Sequence, residues 1–235
     1  MDKVLLWKVA SVISAVFGLG LLSSVLFPIV SYESASRVKY PTLLNPLVKD
    51  SSQPSLESYD LTRASNWFAD GAKKEEFAVA NISYYTLSIP KLGIENASVA
   101  IGGEDLSKSL IQYPGTALPG KRGNTVIFGH SILPQFYNPK NYMAIFSTLP
   151  TMEKGDEVFI EYDGVSYKYQ VFEMFEVLPT NLDVLKQGQA DSTISLITCV
   201  PPGHPLKPRR LIVRAKIVPF DVSANAKQTN SDFRN

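Results

Sequence analysis

The chain has 235 residues, 45% of them hydrophobic and 11% aromatic, which is enough apolar material for the core of one or two domains and excludes disorder of the whole chain. Its 23 basic and 22 acidic side chains leave a net charge of +1. That balance gives no electrostatic footprint for nucleic acid or for a strongly acidic partner.

Read from the N-terminus, residues 1–8 carry Lys3 and Lys8, and residues 9–30 then run for 22 positions without a charge. A bilayer core needs roughly 20 apolar residues, so 9–30 is predicted to be a transmembrane anchor. A cleaved signal peptide is the competing reading, with Ser34-Ala35-Ser36 as its small-residue site, but its apolar region should be only about 7 to 15 residues long. Lys3 and Lys8 favour a cytoplasmic N-terminus, a bias weakened by Arg37 and Lys39 beyond the span. Everything after about Ser31 is then expected outside the cytoplasm.

Residues 31–80 are rich in Ser, Pro and charge, as in Ser51-Ser52-Gln53-Pro54-Ser55, and read as a stalk with a mean reach of roughly 40 Å. Within it, 65–80 mixes Trp67, Phe68, Phe77 and Val79 with charges and is expected to form a short helix packed on the following domain. From Asn81 the pattern changes to short apolar or alternating runs separated by Gly, Pro and Asn. Strands are predicted at 84–89, 97–101, 124–129, 157–162, 166–177, 193–199 and 211–218, with Asp163-Gly164 as a hairpin turn. Helical turns are expected only at 106–111, 145–149 and 181–187. Such a pattern over 81–220 argues for an all-β domain, either a closed barrel or a sandwich. The polar tail 221–235 is expected to fray.

The only cysteine, Cys199, ends a predicted strand and is followed at once by Val200-Pro201-Pro202-Gly203, which places the thiol at a rim. Outside the cytoplasm cysteines usually pair, and a lone one is inert, intermolecular or reactive. A nucleophilic thiol needs a partner to move protons, and the chain has two histidines. His130 follows a predicted strand through Gly129, whereas His204 sits in a Pro-rich loop with a solvated side chain as the plain expectation. Arginine adds a permanent forked cation able to hold an acyl oxygen as negative charge builds on it. In 210–215 alternation buries Leu211, Val213 and Ala215 and turns Arg210 the other way, so Arg210 is favoured over Arg209, with Arg214 in a salt bridge or solvated.

These segments resemble those of the sortases, membrane-anchored cysteine transpeptidases of bacterial surfaces. Leu196-Ile197-Thr198-Cys199 resembles the family's Thr-Leu-x-Thr-Cys motif, with Ser195 in place of the first Thr, Gly129-His130 upstream, and Arg210-Leu211-Ile212-Val213-Arg214 downstream. Thr86-Leu87-Ser88-Ile89-Pro90 and Pro114-Gly115-Thr116 resemble the first strand and the approach to the histidine. The resemblance implies a closed barrel of about eight strands. It also implies Cys199 as nucleophile, His130 as acid and base, Arg210 at the oxyanion and Thr198 supporting substrate. The implied partners are a Leu-Pro-x-Thr-Gly-like sorting-signal peptide, an amine acceptor from peptidoglycan or a pilin lysine, and the bilayer through the N-terminal helix. No cofactor is required by this chemistry, and calcium is neither implied nor excluded. The insert 132–143 and the loop 201–208 are the expected walls of the groove. Residues 31–80 lack an Asp-Pro-aromatic lid motif, and the absence of a C-terminal span argues against a pilin-polymerising subclass. Two alternatives stand beside this reading: an L,D-transpeptidase, whose Ser-x-Gly-Cys pattern Ile197-Thr198 do not fit, and an anchored binding module with a silent thiol.

Overall fold

The computed structural model describes residues 3–40, 60–78, 82–188 and 190–219. The middle of the expected stalk, 41–59, and the expected tail, 221–235, lie outside the described residues. Eight strands close into a barrel: β1 (Ser83–Ile89), β2 (Ile94–Ile101), β3 (Leu110–Gln112), β4 (Gly123–Phe128), β5 (Glu157–Tyr162), β6 (Val165–Val177), β7 (Ser192–Val200) and β8 (Arg209–Ile217). Their order around the barrel is β1-β2-β3-β4-β7-β8-β6-β5. The pairs β2–β3 and β4–β7 are parallel and the others antiparallel. A sandwich is thereby excluded.

Strand alternation builds two apolar layers. One takes residues from around the whole barrel, including Leu87, Val99, Ile127, Ile160, Val171, Leu196 and Val213, and fills its interior. The other takes the opposite parity on the outer wall, with Val126, Phe128, Ile197, Cys199 and Ile212, and packs against Trp67, Phe68, Phe77 and Val184. A register shift between Val171 and Glu173 in β6 changes the face of the odd positions, so Val171 points inward while Phe175 and Val177 join the outer layer. Strand β7 is therefore buried along its whole length.

The Asp163-Gly164 hairpin turn is as expected, with both residues at positive φ, 52° and 72°. Three local expectations are corrected. Residues 106–111 do not form a helical turn, because Leu110 and Ile111 enter β3, and a short apolar run has no period that distinguishes the two states. Residues 145–149 form irregular turns leading into a 3-10 turn at Leu149–Thr151. The single helix expected in 65–80 is split into a 3-10 turn at Ala64–Asn66 and one turn of helix, α2, at Lys74–Phe77. The residues between them lie flat on the barrel. At the N-terminus, helix α1 covers Lys3–Lys39, extending beyond the expected boundary at residue 30 into the expected stalk, and is long and apolar enough to cross a membrane.

Gly129, directly after β4, packs closely against the barrel interior. A Cβ there would lie 2.4 Å from Phe146 Cδ2 and 2.7 Å from Leu110 Cδ2, both in the interior. Gly129→Ala is expected to destabilise the full chain by about 1–3 kcal/mol through overpacking. Urea unfolding against the wild type measures this.

Candidate active site

Three adjacent strands bring the residues singled out in the sequence to one place. Parallel pairing sets Phe128 of β4 beside Ile197 of β7, and antiparallel pairing sets Cys199 of β7 opposite Arg210 of β8. Continuing the parallel register by two residues brings His130 beside Cys199. Neighbouring strands lie about 4.8 Å apart, so the row runs His130, Cys199, Arg210 with the cysteine in the middle. Paired positions share a face of the sheet, here the outer one. The segment that follows β4 braces the backbone of this row on one side of the cysteine strand. Gly129 N donates to Ile197 O at 3.1 Å and Ser131 Oγ donates to Cys199 O at 2.6 Å.

The thiol sits at the end of β7 as expected, but it is not open to solvent: Cys199 is 0% exposed, His130 1% and Arg210 3%. The cause is the segment 60–78, laid across the outer wall. The Trp67 ring stacks on Phe128 at 4.9 Å between centroids and lies 5.9 Å from the His130 ring. Its backbone oxygen accepts from Arg210 Nε at 3.1 Å and from Nη2 at 2.9 Å, while Arg210 Nη1 donates to Lys207 O at 2.9 Å. The arginine fork is thus already closed on a peptide carbonyl. The cover is fastened by backbone bonds from Ala64 N to Glu104 O at 2.9 Å, Leu106 N to Thr62 O at 2.8 Å and Ala69 N to Pro179 O at 3.0 Å. An ion pair between Arg63 and Glu104 at 2.7 Å adds to these. A cleft of about 390 Å³ at the far end of the cover, lined by Asp70, Tyr113, Pro114 and Leu182 among others, includes none of the three row residues.

His130 is the electrostatically distinctive member. Neither ring nitrogen has a hydrogen-bond partner among the described residues. Burial, with a smaller contribution from the Lys207 cation, lowers its pKa from 6.5 to about 4. The imidazole is therefore neutral near pH 7, able to accept a proton. Among the described residues no group of three or more His, Cys, Asp or Glu side chains is arranged to hold a metal ion.

Other expected residues fall as follows. Thr198 does not face the row: its position is paired with the inward Leu211, and its hydroxyl donates to Gly129 O at 2.8 Å, so it braces the strand end below His130. Arg209 turns away from Arg210 and pairs with Glu33 and Glu176. Arg214 pairs with Glu173 at 3.4 Å. His204 lies half-buried in its loop, where its Nδ1 accepts from Leu206 N. The residue not singled out is Trp67. Its signal was the Trp67-Phe68 pair in an otherwise polar segment, two large rings that require burial somewhere.

Residues 87–218, which include all three row residues, match the family model described as Sortase domain. The Sortase A of Bacillus anthracis is 23% identical over 158 residues, covering 62% of this chain and 70% of that protein. A lid mutant of Sortase A from Corynebacterium diphtheriae has a TM-score of 0.52 at 29% identity, covering 63% of this chain and 76% of that one. A sortase transpeptidase from Clostridium perfringens has a TM-score of 0.50 at 25% identity, covering 62% and 93%.

The buried imidazole links folding to pH. The unfolded chain binds a proton at His130 near pH 6.5, the folded chain only near pH 4. Its contribution to stability is thus full above pH 6.5 and falls as pH drops towards 4, by about 3 kcal/mol at the lower end. Urea unfolding of His130→Gln at pH 7.5 and 4.5 should show a correspondingly smaller loss than the wild type. In Trp67→Ala the His130 pKa, read from its ring-proton NMR shift, should rise towards 6.5 as the cover loosens.

Proposed function

The chain belongs to the sortase family, and on that premise we propose that it is a cysteine transpeptidase. It would cut a sorting-signal peptide similar to Leu-Pro-x-Thr-Gly and pass the acyl fragment to an amine, from a peptidoglycan cross-bridge or a pilin lysine. The observation that carries this reading is the row itself: a lone thiol flanked on adjacent strands by a neutral imidazole and a fixed guanidinium.

The chemistry follows from those three groups. His130 takes the thiol proton as Cys199 Sγ attacks the scissile carbonyl carbon. Negative charge moves to the carbonyl oxygen, which Arg210 receives in the fork that now holds the Trp67 carbonyl. The C–N bond breaks, the leaving amine departs with the proton from His130, and a thioester remains on Cys199. An incoming amine loses its proton to His130, attacks the thioester, and leaves a new amide and a free thiol. No cofactor enters these steps.

In this reading the segment 60–78 is a cover that substrate displaces, because a peptide carbonyl cannot reach the arginine fork while Trp67 O occupies it. Its release exchanges one pair of carbonyl bonds for another and exposes His130 to water. The N-terminal helix anchors the enzyme with the barrel on the extracytoplasmic side, consistent with Lys3 and Lys8 at the opposite end.

The test is to incubate the full chain in detergent micelles with a peptide library and an amine, reading products by mass spectrometry. Wild type should form an amide joining the two, and Cys199→Ala none. Arg210→Ala should lower kcat by roughly 10²–10³-fold, with Arg210→Lys between the two because it lacks the fork. Equal product from wild type and Cys199→Ala rejects the mechanism. A thiol-reactive probe separates the enzyme from a silent module: labelling of Cys199 should be slow in the wild type and fast in Trp67→Ala. A silent core thiol would stay unlabelled in both until denaturation.

A further inference from the structure

The end of α1 does not leave the barrel free. It is fastened to it at successive levels: Gln135 Nε2 donates to Ser24 O at 3.1 Å, Tyr32 OH donates to Glu176 Oε1 at 2.6 Å, and Arg209 pairs with both Glu33 and Glu176. Lys39 Nζ and Tyr40 OH donate to Pro150 O at 2.8 and 2.9 Å. At 1.5 Å per residue these contacts extend along roughly 24 Å of helix, from Ser24 to Tyr40.

The lowest of them has a geometric consequence. Ser24 lies inside the uncharged run 9–30, about 9 Å below its end at Val30. A hydrocarbon core of roughly 30 Å beginning near Val9 takes about 20 residues and reaches past Ser24. The loop that touches Ser24 therefore stands at the bilayer boundary. That loop follows His130 directly and carries Phe136, which is 60% exposed. It is packed against the loop that follows Cys199, since a Cβ at Gly203 would lie 2.5 Å from Leu133 Cγ, and that second loop carries Leu206, also 60% exposed. Single exposed apolar residues are ordinary on a protein surface. Here, however, Phe136 directly follows Gln135, which touches a membrane-length helix at Ser24, and Leu206 lies on the adjoining loop.

We propose that these two loops enter the interfacial layer of the bilayer that α1 crosses, with Phe136 and Leu206 as the inserted side chains. The row of His130, Cys199 and Arg210 is then held against the lipid surface, and peptide or amine substrates carried by the same bilayer meet it there. This rests on the reading that α1 spans the membrane.

The lone cysteine makes the test simple, because Cys199→Ala leaves a chain without thiols. In that background, nitroxide labels are placed by Phe136→Cys, Leu206→Cys, Phe17→Cys and Val165→Cys, one at a time, in the full chain reconstituted in vesicles of phosphatidylcholine and phosphatidylglycerol. Val165 is 47% exposed at the end of β6 remote from Glu176 and serves as the aqueous reference. Relaxation by oxygen, which partitions into lipid, is compared with relaxation by a water-soluble nickel chelate. Positions 136 and 206 should give an oxygen-to-nickel ratio several-fold above position 165, with position 17 highest. If 17 is deep while either loop position reads like 165, the loops do not insert and the proposal falls alone. If 17 also reads as aqueous, the spanning reading falls and takes the proposal with it.

Discussion

The pairing register of β7 between β4 and β8 is the constraint on which the rest depends. A slip of one residue would turn Cys199 from the outer wall into the barrel interior and bring Thr198 out in its place. Closure of the barrel opposes such a slip, since every strand has two neighbours and no free edge along which to slide. Side chains add to it: Ser131 and Thr198 both bond across the β4–β7 seam at the level of the cysteine. The parallel sense of that seam matters equally. It brings the ends of β4 and β7 out on the same side, so that His130 and Cys199 both lie where loops begin.

Burial of this row has opposite effects on its members. Arg210, 3% exposed, has its donors met by the carbonyls of Trp67 and Lys207, as a buried cation requires. Neither ring nitrogen of His130 has a hydrogen-bond partner among the described residues, and each buried unpartnered polar atom costs about 1–3 kcal/mol. The cover thus satisfies the guanidinium while leaving the imidazole unsatisfied. In the proposed reading, its removal relieves the second and frees the first for a substrate carbonyl. The cover holds the guanidinium with a backbone oxygen.

Helix α1 belongs to the same system. Arg209, one residue before Arg210, is held between Glu33 of α1 and Glu176 of β6. The beginning of β8 therefore carries one arginine for the row and one for the helix, on opposite faces. Strand alternation separates the two roles at no cost in sequence length.

Much of this was legible in the chain. The uncharged run 9–30, the period-2 strands, the Asp163-Gly164 turn and the order His130, Cys199, Arg210 are local signals, each set by neighbours in sequence. Preference for Arg210 over Arg209 followed from alternation alone. β3 escaped because three residues carry no period, and the position of Thr198 escaped because a motif names residues without saying which face they occupy. Only the tertiary structure decided access: the thiol expected at a rim is covered by residues more than a hundred positions earlier, in part of the expected stalk. Local sequence fixes which way a side chain points from its own strand. What covers that side chain depends on where distant apolar groups such as Trp67 find enough surface to leave water, and no local pattern encodes that.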